Sequence, residues 1–151
     1  MKYISLTFTT IALFLINSSA LSATVGLETG IHNDTNNVTI EVKHGTHKFS
    51  LRPKNSGSFD KETISYVFKK NTKTYSTMIT NTQNNKAICQ LDTTIETNYI
   101  LTSGASASIK KYKVTNLPGP DYCSATIGND TVQGSVGKLS ISITVKNKNK
   151  I

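Results

Sequence analysis

Apolar and polar positions alternate along most of this chain with a period of two. Val38, Ile40 and Val42 are interleaved with Thr39, Glu41 and Lys43. After His44-Gly45-Thr46 the pattern resumes, with His47, Phe49 and Leu51 set against Lys48, Ser50 and Arg52. A period of two sends alternate side chains to opposite faces of a strand. A short Gly-containing gap between two such runs predicts a β-hairpin. One face of that hairpin is apolar, so it must lie over a second layer.

The remaining runs read the same way. Val25–Ile31 alternates weakly and predicts a first strand; His32–Asn37 is turn chemistry, because Asn and Asp bond their own backbone. Pro53–Ser58 reads as a loop. Thr63–Lys69 and Thr74–Thr80 flank the polar Lys70–Lys73 and predict a second hairpin, with Ile64, Tyr66 and Phe68 on one face. Asn81–Asn85 is a loop tip. Ala87–Leu91 and Thr97–Leu101 predict two short strands, Ser103–Ser108 a small-residue flexible link, and Ile109–Val114 another strand. Leu117-Pro118-Gly119-Pro120-Asp121 breaks the chain, since proline lacks a donor and fixes φ. Tyr122–Ile127 predicts a strand and Gly128–Asp130 a turn. The cleanest pattern closes the fold: Leu139, Ile141, Ile143 and Val145 inward, Ser140, Ser142 and Thr144 outward.

No helical period persists over a useful length beyond the N-terminal leader. Eight to nine short strands between turn signals predict an all-β domain, an antiparallel sandwich or a Greek-key barrel. The expected organisation is a leader over 1–23, one domain over 24–146 and a basic tail over 147–151. The leader reading rests on Lys2, the apolar run Ile11–Ile16 and the small residues Ser18–Ala23, which form a secretory signal with cleavage after Ala20, Ser22 or Ala23. The apolar run is far short of the ~20 residues that span a bilayer, so the sequence predicts no integral membrane span and a secreted product, periplasmic or extracellular.

Charge narrows the partners. The formal net charge of +8 falls to +7 once Lys2 leaves with the leader, and Arg52 is the single arginine. Arginine is the residue suited to bidentate phosphate and base contacts, so nucleic acid is not an expected partner. Scattered lysines suit solubility and edge-strand protection, or attraction to an anionic surface.

Cys89 and Cys123 are the two cysteines. In an oxidising compartment they predict one disulfide, and their spacing is unlike a C-x-x-C redox pair. His44 and His47 flank a turn and Asp34 lies just before the hairpin, a weak pattern for zinc or copper that a solvated turn explains better. His32 is the third histidine. There is no G-x-S-x-G, H-E-x-x-H, P-loop or dinucleotide motif, and the few acidic residues fall in no catalytic string. No enzyme activity, metal or cofactor is therefore expected. Sequons begin at Asn33, Asn37 and Asn129.

These readings point to a secreted, bacterial, non-enzymatic monomer that binds an extracellular protein or an anionic surface, as in host interaction or virulence. Binding is expected on loops, over His32–Asn37, Asn81–Asn85 and Leu117–Asp121, with Asn84, Asn85, Pro118 and Asp121 as candidate contacts. Tyr112, between Lys110, Lys111 and Lys113, is a second candidate contact for a sugar or lipid headgroup. The alternative is a membrane-active β-protein or toxin on anionic lipid. A fimbrial-type subunit completed by a partner strand, and a protease inhibitor presenting Leu117–Pro120, rank lower. The strong run Leu139–Val145 speaks against the fimbrial reading, because the domain owns a complete set of strands.

Overall fold

The computed structural model describes residues 24–65, 70–100, 104–134 and 136–148, without the side chains of 24, 60–65 and 100. The leader, Tyr66–Lys69, Leu101–Ser103, Ser135 and the last three residues lie outside this range. Ten strands are present among the described residues: β1 (Thr24–Asn33), β2 (Ile40–His44), β3 (His47–Leu51), β4 (Ser56–Ser65), β5 (Asn71–Asn81), β6 (Lys86–Ile100), β7 (Gly104–Asn116), β8 (Asp121–Asn129), β9 (Thr131–Gln133) and β10 (Lys138–Asn147). They form two sheets, a four-stranded one in the order β4-β1-β10-β8 and a six-stranded one in the order β3-β2-β5-β6-β7-β9. The fold is thus a sandwich of two sheets, and every strand pair is antiparallel except β1 with β10.

The leading hairpin forms as its alternation requires. Val38, Ile40, Val42 and Leu51 are buried, and β2 pairs β3 from Ile40↔Leu51 to His44↔His47. The turn is tighter than expected. Only Gly45 and Thr46 make it, and Gly45 takes φ 56°, a left-handed conformation that costs glycine nothing. His44 is therefore a strand residue, and it is buried. The closing strand is also as predicted: Leu139, Ile141, Ile143 and Val145 are fully buried.

Several boundaries differ. β4 begins at Ser56, inside the expected loop, and pairs β1, while β5 pairs β2 and β6. The two runs expected to form a second hairpin thus belong to different sheets. The two short strands expected between Ala87 and Leu101 are one fifteen-residue strand, β6. Its middle, Asp92-Thr93-Thr94, lacks large apolar residues, but Thr93 is 2% exposed and the strand runs on through it. The expected flexible link is strand as well. Gly104–Ser108 opens β7, and Ala105 and Ala107 are buried because small side chains suffice there. Gly128 and Asn129 end β8 rather than make a turn, and β9 was unforeseen. Asn147, expected in the tail, closes β10.

One disulfide joins Cys89 of β6 to Cys123 of β8, with Cα atoms 6.2 Å apart. It ties the two sheets together through the core. Closing a loop of 34 residues contributes about 3–4 kcal/mol in the chain-entropy model. Asn116, the register partner of Cys89 on β7, grips the same point. Its Oδ1 accepts from the Cys123 N–H at 2.6 Å and its Nδ2 donates to the Cys123 carbonyl at 3.1 Å.

Candidate binding surface

β1, β6 and β7 all have one terminus at the same end of the sandwich, and the three loops singled out in the sequence meet there. The β1–β2 loop begins at Asn33, whose buried amide is a hub. Its Nδ2 donates to the carbonyls of Val38 at 2.8 Å and Leu51 at 3.0 Å. Its Oδ1 accepts from the Thr35 hydroxyl at 2.7 Å. Asn33 is 1% exposed and Thr35 fully buried, so this loop is fixed from beneath. The buried Asn33 amide is also out of reach as a glycan acceptor in the folded chain, whereas Asn37 and Asn129 are exposed.

The second loop is the β5–β6 turn. Asn81 Oδ1 accepts from the Gln83 N–H at 2.8 Å and Asn84 Oδ1 from the Lys86 N–H at 2.9 Å. These are Asx turns, the reason asparagine is favoured there. Asn85 takes φ 56°, which asparagine tolerates better than most residues. Across the gap, Gln83 Nε2 donates to the Asn37 carbonyl at 3.1 Å, and the Thr82 N–H and hydroxyl both donate to the Thr39 carbonyl at 3.0 Å.

The third loop, between β7 and β8, is drawn in by β10. Asn147 Oδ1 accepts from the Asn36 N–H at 2.9 Å, and Asn147 Nδ2 donates to Asp121 Oδ1 at 2.7 Å. The Lys148 N–H donates to the Pro120 carbonyl at 2.6 Å and its Nζ to the Gly119 carbonyl at 2.9 Å. Between the second and third loops lies a cavity of about 130 Å³, lined by Asn84, Lys86, Ile88, Leu117, Pro118 and Asp121 among others. Its lining mixes apolar side chains, Ile88, Leu117 and Pro118 among them, with asparagine amides, the Lys86 ammonium and the Asp121 carboxylate. Such a shape suits a small polar group of a larger partner.

Asn84, Asn85 and Pro118 are exposed on this surface, as a contact role requires. Asp121 is not: it is 3% exposed and its carboxylate accepts from Asn147. Its role is to hold the loop, and it is withdrawn from the exposed candidate set. Gln83, Asn147 and Lys148, which the sequence does not single out, complete the bonding of this end. Their signal is weak, because the last two sit at a chain end that composition alone assigns to a tail.

Tyr112 and Lys110, Lys111 and Lys113 form a separate group on β7. The register skips at Lys110, since Thr94 pairs Lys111 and Ile95 pairs Ile109. A bulge of this kind re-aims side chains, and four consecutive residues are exposed here, with Tyr112 at 42%. Glu96 is shared by Lys70 at 2.8 Å and Lys110 at 3.1 Å. The Lys70 contact leads in holding its carboxyl below the usual range. Hydrogen bonds from Ser76, and then Gln90, lower Asp92 in the same way. Thr74, Asp92, Thr94, Lys111 and Lys113 line a shallow groove beside them.

The histidines do not converge. His44 is buried, its Nδ1 at 2.7 Å from Thr77 Oγ1 and its ring 5.1 Å from Phe59 and 6.2 Å from Tyr75. His47 is exposed opposite it, while at the three-loop end of the sandwich His32 is bonded to Ser56 and Asp34 to Lys54. Among the described residues no group of three or more His, Cys, Asp or Glu is placed to hold a metal, and no helix is long and apolar enough to cross a membrane. No protein-family model matches the chain, and a search of curated proteins finds no relative.

Proposed function

We propose that this is a secreted, non-enzymatic binding protein whose three-loop end engages a protein partner or surface outside the cell. The observation that carries the reading is the side-chain bonding that joins loops from both sheets into one polar surface: Asn36 to Asn147 to Asp121, and Asn37 to Gln83. Interfaces gain affinity when the contact loops are held in place before the encounter, and the inter-sheet disulfide stiffens the base beneath them. The one acid lining the cavity, Asp121, is committed to Asn147, which supports binding over acid–base chemistry.

A second reading has its own observation. The outer face of the six-stranded sheet carries Lys110, Lys111 and Lys113 beside Lys70, with Asp92 and Glu96 as the nearby acids. That excess supports attraction to anionic lipid.

One experiment separates the two. The labelled exported form is titrated onto host cells and onto liposomes of anionic lipid. Asn84→Ala with Pro118→Ala is expected to weaken cell binding at least tenfold at unchanged melting temperature, and Lys110, Lys111 and Lys113→Glu to leave it intact. The reverse pattern, with binding and leakage of liposomes, would replace the first reading by the second.

A further inference from the structure

The sandwich leaves edges open, and they are not alike. β3 is five residues long and carries Lys48. β9 has three residues. β7 beyond its pairing with β9 has a bulge and three lysines, Lys110, Lys111 and Lys113. β4 carries Asp60, Lys61 and Glu62 at mid-strand, beside a register shift. Short length, charge and bulges are the devices that stop an edge from pairing with a stray strand. β8 has none of them along its middle. It runs nine residues, and Tyr122 to Gly128 carries no charged side chain.

One rung of that edge is already occupied. The N–H and C=O of Cys123 point away from β10 and are bonded by the Asn116 amide, which stands where a neighbouring strand would stand. Direction repeats every second residue in an antiparallel strand, and the register with β10 is regular from Cys123 to Ile127. The backbones of Ala125 and Ile127 therefore point outward too. Among the described residues no strand pairs with them, since β8 ends its sheet. Their side chains are half-buried and pack against the core, as that of Val114 on β7 does.

We propose that the β8 edge is a strand-addition site for an extended segment of another protein, flanked by acidic residues. Main-chain bonds to Ala125 and Ile127 would supply affinity, and alternate apolar side chains would fill the slot between β8 and the upper part of β7. The acidic preference follows from charge: the chain carries a formal net +8, and Lys110, Lys111 and Lys113 crowd the outer face of β7, the strand beside the slot. Net charge also argues against a second copy: two β8 strands paired about a two-fold would bring together two chains that each carry +8.

The probe is a dye-labelled nonapeptide of alternating Val and Thr with Asp-Glu flanks, compared with the same peptide flanked by Lys. Anisotropy is expected to show the acidic peptide binding at least tenfold more tightly. Ala125→Pro removes a donor that β10 does not use, a change that edge strands accept, and should cost at least tenfold in binding at a melting temperature near wild type. Amide exchange gives a second measure without any variant, since Ala125 and Ile127 should be slowed by the acidic peptide. Equal binding of both peptides, no binding, unchanged exchange at these two amides, or full binding by a folded Ala125→Pro would each overturn the proposal. Self-association that protects the same amides would overturn it in favour of a dimer.

Discussion

The two sheets face each other across one core and are furnished differently. The inner face of the four-stranded sheet is aliphatic in its two central strands: Val25, Leu27 and Ile31 from β1, and Leu139, Ile141, Ile143 and Val145 from β10, none more than 2% exposed. The six-stranded sheet interleaves Ile79, Leu91 and Ile95 with His44, Thr77, Thr93 and Thr97, all buried as well. The first sheet is held mainly by burial, at about 25 cal/mol per Å² of apolar surface, with Thr29 and Asn33 the buried polar residues of β1. The second buries hydroxyls, an imidazole and an amide, which burial penalises unless each finds a partner. No described buried side-chain nitrogen or oxygen lacks one. Packing dominates one layer; packing and pairing share the other, and that second layer carries the basic face.

Four measurements break or sharpen this contrast. The largest effect is expected at Ile143→Ala, a loss of about 4 kcal/mol for a fully buried aliphatic; Thr93→Ala on the facing sheet should cost about 1 kcal/mol. Denaturant melts of both variants check it, and equal losses would erase the distinction. Next, Cys89→Ser with Cys123→Ser should remove about 3 kcal/mol, since the bond joins the unlike layers; an unchanged melt would mean the sheets need no staple. Asn33→Ala removes the side-chain donor to the Leu51 carbonyl and one of the two donors to the Val38 carbonyl, the Thr35 hydroxyl being the other, at about 2 kcal/mol, and should loosen the β1–β2 loop in amide exchange.

The smallest effect is acid sensitivity. Asp34, Asp92 and Glu96 are all lowered, by Lys54, Ser76 and Lys70 first among their causes. A carboxyl whose pKa is lower folded than unfolded stabilises the fold fully above its unfolded value, near 4. That contribution is lost as pH falls through the folded value. Stability should be flat from about pH 6 to 5 with respect to these groups and decline below about 4. Glu96→Gln with Asp92→Asn should shallow the decline, and both acids lie on the six-stranded sheet.

The same contrast decides what the residue pattern could reveal. β10 and the β2–β3 hairpin were legible because aliphatics alternate without interruption. β6 reads as two strands because Asp92-Thr93-Thr94 looks like a surface link until a facing layer covers Thr93. The opening of β7 looked flexible because Ala105 and Ala107 are small, yet smallness is what that part of the core accommodates. The turn chemistry of the loops was legible. Their convergence was not, because it depends on Asn147 and Gln83 reaching across distant parts of the chain. Asp121 could not be told from an exposed turn acid without knowing that Asn147 arrives beside it.

β1 and β10 lie side by side and parallel at the centre of their sheet, with Leu27 opposite Leu139 and Ile31 opposite Ile143. The earliest described strand therefore has no permanent neighbour on one flank until the latest has been synthesised. Closing so long a loop costs entropy before any contact rewards it, so the four-stranded layer must assemble late and slowly. A nascent chain stalled before residue 138 would hold β1 with half its edge open, available to chaperones and to threading in an extended state.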